Sequence, residues 1–558
     1  MYRHSLRSVL LAALAAVSVA ACPSGGGNKA ATKPIAPADD HDVAAKPASA
    51  RLVLSIVLDQ LPSSAVLRFA PHLPEDGIIR RAIANGMFQE RVRYGYAGTN
   101  TAPGHASIYT GELPADHGID RNDIYTTESG RMQIVNDGEH AVFGVEGSFA
   151  SPFRLLKPTV GDLLHKKSPE SKVVSVSLKA RAAVVSGGKT PTFVGWYDPN
   201  LAGFTTSEFY ADSMPDWLTA WNTKNPMKER LQTWTAESPA LYKELFGADD
   251  APGESDWHGL GTTFPHDTAN TAKPNKTFVA TPQSMEYLLE MVRTTVAQYQ
   301  LGEDAHPDLL MVSVSTTDYA GHSFGASSWE YLDVLIKTDR ALGVLVRELE
   351  ATTDLAVLIT SDHGGTPLAE LSVAQGQPGG RLYGDVMING LEAAASKALG
   401  KGPWFETYIQ PYLYLSEAAK KSGKLSELYA IIDAYALEAP ALRAVYPANV
   451  ARTLRDSDDW LERDVAQTVS QRAEALFVVP AEWHVGSSTQ GTLGTGHGTP
   501  WDPDREVPVL AVGAGVSKAR DTSVLAQDRV APTIAALLNL SWHLAPKPLS
   551  GAPKANAK

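Results

Sequence analysis

One cysteine in 558 residues, Cys22, leaves no possibility of a disulfide within the chain. Basic charge is also scarce: 49 Lys and Arg stand against 62 Asp and Glu, a formal net charge of −13. That balance excludes a nucleic-acid binder working through a basic surface. Any site for a phosphate-like anion must be made locally positive by metal ions or a few placed cations. Past the N-terminal segment, no apolar run has the uninterrupted length of a membrane span, and no internal repeat is visible. What is present is enough apolar material, 44% of residues, for a large globular core.

Arg3, His4 and Arg7 precede an apolar run from Val9 to Ala21 that is short for a bilayer span and right for a signal-peptide core. It ends Val19-Ala20-Ala21-Cys22. The cysteine either follows an ordinary cleavage site by chance or, as its position resembles a bacterial lipobox, carries lipid after cleavage before it. Residues 1–21 are expected as signal peptide, and 22–50 as lipidated cysteine and tether, rich in Gly, Ala, Pro and Lys without periodicity. The expectation is an exported, periplasmic protein touching a membrane only through that anchor. Asp39, Asp40, His41 and Asp42 read as solvated charges of the tether.

Six short apolar runs have the character of strands covered on both faces: Arg51 to Leu58, Val173 to Leu178, Phe193 to Tyr197, Leu309 to Val314, Leu355 to Thr360 and Val507 to Val512. Helical periods stand between them. Thr281-Pro282 opens one by cap and first-turn proline, and Leu332, Leu335, Ile336, Leu342, Leu345, Val346 and Leu349 share a face of another. Pro532 to Leu538 reads as a last helix. Strand–helix alternation predicts an α/β fold with a parallel sheet and right-handed crossovers. Residues 198–275, with scattered Trp217, Trp221, Trp234 and Trp257, read as an insertion outside the sheet. Residues 375–488 read as a second insertion with helices at Leu425 to Leu437 and Trp460 to Ala475. The Pro, Lys and Ala of 546–558 suggest a frayed tail, leaving 51–545 as the folded domain.

Asp59, Asp318 and Asp362 each stand just past the end of a buried strand, where ligands bind in this architecture. His322 follows Asp318 by four residues, His363 follows Asp362, and His497 sits in the Gly-rich run Gly494-Thr495-Gly496-His497-Gly498. Carboxylates and imidazoles suit Zn²⁺. Asp318, His322 and His497 would make one site, and Asp59, Asp362, His363 and the Thr101 oxygen another. Thr101 lies in Thr99-Asn100-Thr101-Ala102-Pro103-Gly104-His105, a hydroxyl at the mouth of a short helix. Taken alone it is an N-cap; with acids and histidines converging, it is a nucleophile. Lys179-Ala180-Arg181 ends a strand and places two cations on one side if the chain stays extended, or is surface charge. His105 and His117 are expected to brace the loop, and His258 and His266 to lie on the surface.

The Thr101 motif, the Asp318/His322 pair, Asp362-His363 and the late Gly-His497-Gly together resemble the alkaline phosphatase superfamily. Thr101 with Asn122 and Lys179-Ala180-Arg181 is most similar to the phosphate-irrepressible bacterial alkaline phosphatases, which are phosphate monoesterases. The likeness spans roughly Leu52 to Leu540. It implies a three-layer α/β/α sandwich with cap insertions, two Zn²⁺ ions bound as divided above, and Thr101 as a zinc-held nucleophile that becomes phosphothreonine. It further implies Asn122, Lys179 and Arg181 on the phosphoryl oxygens, small phosphate monoesters as substrates, and activity at alkaline pH. The nearest rival is a nucleotide pyrophosphatase/phosphodiesterase of the same superfamily, which Lys179 and Arg181 disfavour. A sulfatase would need cysteine or serine where Thr101 stands. A metal- or phosphate-binding lipoprotein without turnover would lack a catalytic group, and none is missing.

Overall fold

The computed structural model describes residues 49–542, 544 and 546–553. The expected signal peptide at 1–21, Cys22 and its lipid, and the tether up to 48 lie outside the described residues. Nine strands form the central sheet: β1 (Leu52–Leu58), β2 (Met87–Arg93), β3 (Val173–Ser177), β4 (Phe193–Asp198), β5 (Gly203–Thr205), β6 (Asp308–Val314), β7 (Leu355–Thr360), β8 (Glu506–Gly513) and β9 (Ala519–Ala526). Their spatial order is β9-β2-β8-β7-β1-β6-β3-β4-β5. The run from β7 to β4 is parallel throughout, while β8 is antiparallel to both neighbours and β5 to β4.

Strand β1 explains the layering. Leu52, Leu54, Ile56 and Leu58 face one apolar cluster, and Val53 and Val57 face another on the opposite side. The first cluster packs beneath the helices Pro282–Tyr299 and Trp329–Glu350, the second beneath Thr101–Thr110, Val160–Lys167 and Val530–Leu537. This is the expected three-layer sandwich, and among the described residues no helix is long and apolar enough to cross a membrane.

Several expectations are corrected. Gly203–Thr205, inside the presumed first insertion, extends the main sheet, and Trp221 belongs to the main core. The helix at Trp460 stops at Thr468, because Leu476–Pro480 is drawn into a four-stranded sheet with Phe405–Ile409, Tyr412–Leu415 and Leu442–Pro447. That sheet gives the second insertion its own core. Thr281 precedes the helix at Pro282 but does not cap it; its hydroxyl donates to the Phe278 carbonyl. The tail is not frayed through 553: Leu549 is buried, and the Gly551 carbonyl accepts the Ser517 N–H at 2.9 Å. The Leu549 N–H also donates to Thr533 Oγ1 at 2.9 Å, which docks the segment on the last helix. His266 is wholly buried rather than on the surface, whereas His258 is partly exposed.

Candidate active site

Sheet register brings the distant residues together. Val57, Ser313, Ser177 and Thr360 lie on one row across four neighbouring parallel strands. Two residues further on, three of these strands end in Asp59, Lys179 and Asp362, so side chains separated by hundreds of positions emerge at one level. Asp318 follows within the first turn of the helix Thr316–Phe324, and His322 one turn later, its Nε2 3.3 Å from Asp318 Oδ1. His497 reaches the same oxygen from the Gly-rich loop, at 3.5 Å.

The three imidazoles share one arrangement. Nδ1 of His322 lies 2.9 Å from the Thr495 carbonyl, that of His363 2.8 Å from Gly364, and that of His497 2.8 Å from Thr99. A carbonyl only accepts, so each Nδ1 carries the proton and each Nε2 lone pair faces the cluster. His363 Nε2 stands 3.4 Å from Asp59 Oδ1 and 3.5 Å from Asp362 Oδ2. The His363 and His497 rings stack at 3.5 Å.

Thr101 is the first residue of its helix, with Asn100 at the N-cap, and it is wholly buried. Pro103 is the third helical residue, where its missing N–H costs nothing, since the first four N–H groups have no partner within a helix. Gly104 lets this helix press against the Asp362 loop; a Cβ there would run into the Asp362 carbonyl. His105 braces both sides as expected, its Nδ1 donating to the Thr101 carbonyl at 2.9 Å and its Nε2 meeting Ser313 Oγ on the central sheet at 2.9 Å. His117 braces the loop further on, against Ser107 Oγ at 3.0 Å.

Asn122 accepts the Ala102 N–H through Oδ1 at 2.8 Å, which leaves its NH₂ to donate elsewhere. Lys179 is the last extended residue, at the N-cap of the helix Ala180–Gly187, so the chain does not stay extended through Arg181; its buried ammonium bonds to Asp59 Oδ2 at 2.7 Å and to Asp318 Oδ2. Arg181, the second residue of that helix, lines a cavity of about 650 Å³, and its side chain makes no hydrogen bond or ion pair among the described residues. Asn100, Asn122, His322 and His497 share the cavity wall, with Trp257 from the first insertion and Gln410 from the second.

Charge in this cluster is unbalanced. Burial, then the facing carboxylates of Asp318 and Asp362, push Asp59 well above the usual carboxylate range. Burial opposes ionisation of Asp318 as well, yet His322 and Lys179 hold it well below that range. Burial holds His363 and, with the charge of His363, His497 toward the neutral imidazole. Asp59 Oδ1, Thr101 Oγ1, Asp318 Oδ1, Asp362 Oδ2 and His363 Nε2 are buried with no hydrogen-bond partner. Orphaned lone pairs on Asp and His, with tautomers set by carbonyls, fit a pair of zinc ions. The donor atoms of Asp318, His322 and His497 lie within 4.8 Å of one another, as do those of Asp59, Asp318 and His363. Asp318 therefore faces both groups, where the sequence suggested a clean division.

Other contributors carry no local signal. Asp504, wholly buried, accepts the Thr366 hydroxyl at 2.8 Å and the Thr499 hydroxyl at 2.7 Å, and its carbonyl accepts the Gly364 N–H at 2.8 Å. It ties the His363 loop to the His497 loop. Gln410 donates to the His497 carbonyl at 2.7 Å, and Asn100 Nδ2 is buried without a partner beside Thr101.

Known proteins share the fold and the family of this chain. Alkaline phosphatase PhoV of Synechococcus elongatus is 29% identical over 539 residues, 94% of this chain and 96% of that protein. Alkaline phosphatase PafA of Elizabethkingia meningoseptica is 27% identical over 517 residues, 88% and 92% of the two chains. The crystal structure of PafA matches with a TM-score of 0.82 at 24% identity, covering 92% of this chain and 100% of that one, a likeness of fold. The family model described as Type I phosphodiesterase / nucleotide pyrophosphatase matches residues 53–492, and the chain belongs to that family, within the alkaline phosphatase superfamily.

Proposed function

We propose that this chain, a phosphoric monoester hydrolase by its curated relatives, transfers the phosphoryl group of phosphate monoesters to Thr101 and then to water, releasing inorganic phosphate. The observation that carries the reading is the buried, unpartnered Thr101 Oγ1 at the head of a helix whose Gly104 and His105 press on the Asp362 loop, together with the unpartnered donor atoms of Asp59, Asp318, Asp362 and His363. Asp318, His322 and His497 would hold one zinc ion, and Asp59, Asp362 and His363, with the Thr101 oxygen, the other. Bound there, the ions supply Lewis acidity that favours an ionised attacking oxygen and an ionised leaving alcohol.

The chain's own residues do the positioning. In the first step the bond from phosphorus to Thr101 Oγ1 forms as the ester P–O bond breaks; water attacking the same phosphorus then restores the hydroxyl. Charge on the nonbridging oxygens is met by the Asn122 amide and by the planar fork of Arg181. Lys179 has three protons, two of them committed to Asp59 and Asp318, so one is left for phosphate. A monoester dianion presents oxygens that need such cations; a diester carries an ester group in place of one.

The rival reading, a phosphodiesterase, is favoured by the description of the matching family model. Rates on an aryl phosphate and an aryl phosphate diester decide between them. Arg181→Ala is expected to lower monoester turnover about 10²- to 10³-fold while sparing the diester; equal losses on both would remove the argument for a monoesterase. Export and lipid on Cys22 are part of the same proposal, supported by residues 1–22 alone. Palmitate labelling that persists in Cys22→Ser would end it.

A further inference from the structure

Asn100 stands next to Thr101, and its side-chain amide is unspent. The residue is 6% exposed and occupies the N-cap of the Thr101 helix without capping it, the usual employment of an asparagine there. Its Nδ2 is buried with no hydrogen-bond partner, and its Oδ1 accepts no hydrogen bond among the described residues. Only its backbone is engaged, the N–H donating to the Gly98 carbonyl at 3.0 Å and the carbonyl accepting the Gly104 N–H at 2.9 Å. A buried amide kept in this state costs stability until something pairs with it.

What surrounds the amide narrows the choice of partner. Gly498, with φ of +94°, follows His497, and a Cβ on it would stand 3.1 Å from Asn100 Oδ1, 3.2 Å from Asn100 Nδ2 and 3.1 Å from Gln410 Nε2. The missing side chain leaves room for two amides beside His497. Gln410 gives Nε2 to the His497 carbonyl at 2.7 Å, and its Oε1 accepts no hydrogen bond among the described residues. Both residues line the cavity of about 650 Å³, and each lining residue that the second insertion contributes, from Tyr408 to Ser488, is uncharged. The Tyr408 hydroxyl is a further buried group without a partner. A neutral wall with spare donors and acceptors has no counter-charge to offer an ion. Its complement is a group that both donates and accepts, which is a hydroxyl.

We propose that Asn100, with Gln410, selects leaving alcohols that carry a further hydroxyl, so that the preferred substrates are phosphates of polyols such as glycerol and hexoses. The inference rests on the monoesterase reading above. In an in-line displacement the attacking and leaving oxygens lie on opposite sides of phosphorus. Thr101 is grouped with Asp59, Asp362 and His363, so the alcohol departs toward Asp318, His322 and His497, and the two amides stand beside the last of these. Asn100 Nδ2 donates to a hydroxyl oxygen of that alcohol, and one of the two spare amide oxygens accepts its proton. A plain alkyl or aryl group leaves all of them unpaired, which is the basis of the discrimination.

The test compares glycerol 3-phosphate with n-propyl phosphate, which has the same carbon chain without the hydroxyls, and with 4-nitrophenyl phosphate, on zinc-loaded wild type and Asn100→Ala. The loss of kcat/KM in Asn100→Ala should be about tenfold greater on glycerol 3-phosphate than on either other ester, with zinc content and melting close to wild type. Asn100→Leu, which fills the volume of the amide, should show the same selective loss and serves if the alanine variant does not fold. Binding reads the preference without turnover. In calorimetry on Thr101→Ala, glycerol 3-phosphate should bind more tightly than n-propyl phosphate, and adding Asn100→Ala should raise its Kd by about tenfold relative to that of the propyl ester. Equal losses on all three esters mean an amide that serves the phosphoryl group or the helix, and overturn the proposal, as does no loss on any. Should wild type hydrolyse none of the three, the monoesterase reading falls by itself, and the two dissociation constants decide for or against the selection of hydroxyls.

Discussion

Asp59 and Asp120 are both almost wholly buried, yet they are opposite kinds of carboxylate. Asp120 spends its lone pairs: it accepts Arg121 twice, at 2.7 and 2.8 Å, the Tyr412 hydroxyl at 3.1 Å and the Ser470 N–H at 3.0 Å. Burial raises its pKa, but Arg121 and these bonds outweigh burial and hold it below the ordinary value. Asp59 has one bond, to Lys179, keeps Oδ1 free, and faces two further carboxylates. Burial is the same in both, and the difference is whether lone pairs are consumed or aimed at a common point. The first kind supports the fold; the second waits for cations.

The comparison breaks most visibly at the residue the free lone pairs surround. Thr101→Ala is expected to lower kcat/KM about 10⁴-fold or more with melting and zinc content close to wild type, while Thr101→Ser keeps a measurable rate. Asp120→Asn should do the reverse. It leaves Arg121 buried without a counter-charge, at a cost of about 3 to 5 kcal/mol in urea unfolding, and leaves bound zinc unchanged. A carboxylate held low is ionised in the fold while the unfolded chain takes a proton first, so its stabilisation is full above pH 4 and fades as acid rises. Unfolding curves of the two proteins should therefore converge in strong acid.

A smaller effect sharpens the same contrast at His117. Its Nδ1 accepts the Ile119 N–H at 3.1 Å, so Nε2 holds the single proton, and burial lowers its pKa to about 3. Between that value and 6.5 the unfolded chain binds the extra proton. Stability is then lost as pH falls below 6.5, by up to about 1.4 kcal/mol per pH unit from this group. His117→Gln should flatten that part of the wild-type profile.

The strands at the centre of the sheet are legible because burial on both faces demands unbroken aliphatic runs, as in Leu355–Thr360. Asp59 and Asp362 stand out for the same reason, being charges set at the ends of such runs. Met87–Arg93 and Ala519–Ala526 mix charge with apolar residues toward the sheet margin and give no such signal. Asp504 and Gln410 stay hidden because their meaning lies in partners distant along the chain. Lys179 is visible as a cation, but its bonds to Asp59 and Asp318 exist only once three strands share a register.

The proposed mechanism requires side chains from separate strands to hold two zinc ions at Thr101, with Asp318 facing both. Metal analysis of purified Asp318→Asn beside wild type and Asp120→Asn tests it most directly. Two zinc per chain in wild type and Asp120→Asn, and loss from both positions in Asp318→Asn, is the predicted result. A full complement of zinc in Asp318→Asn, or none in wild type, would contradict the account.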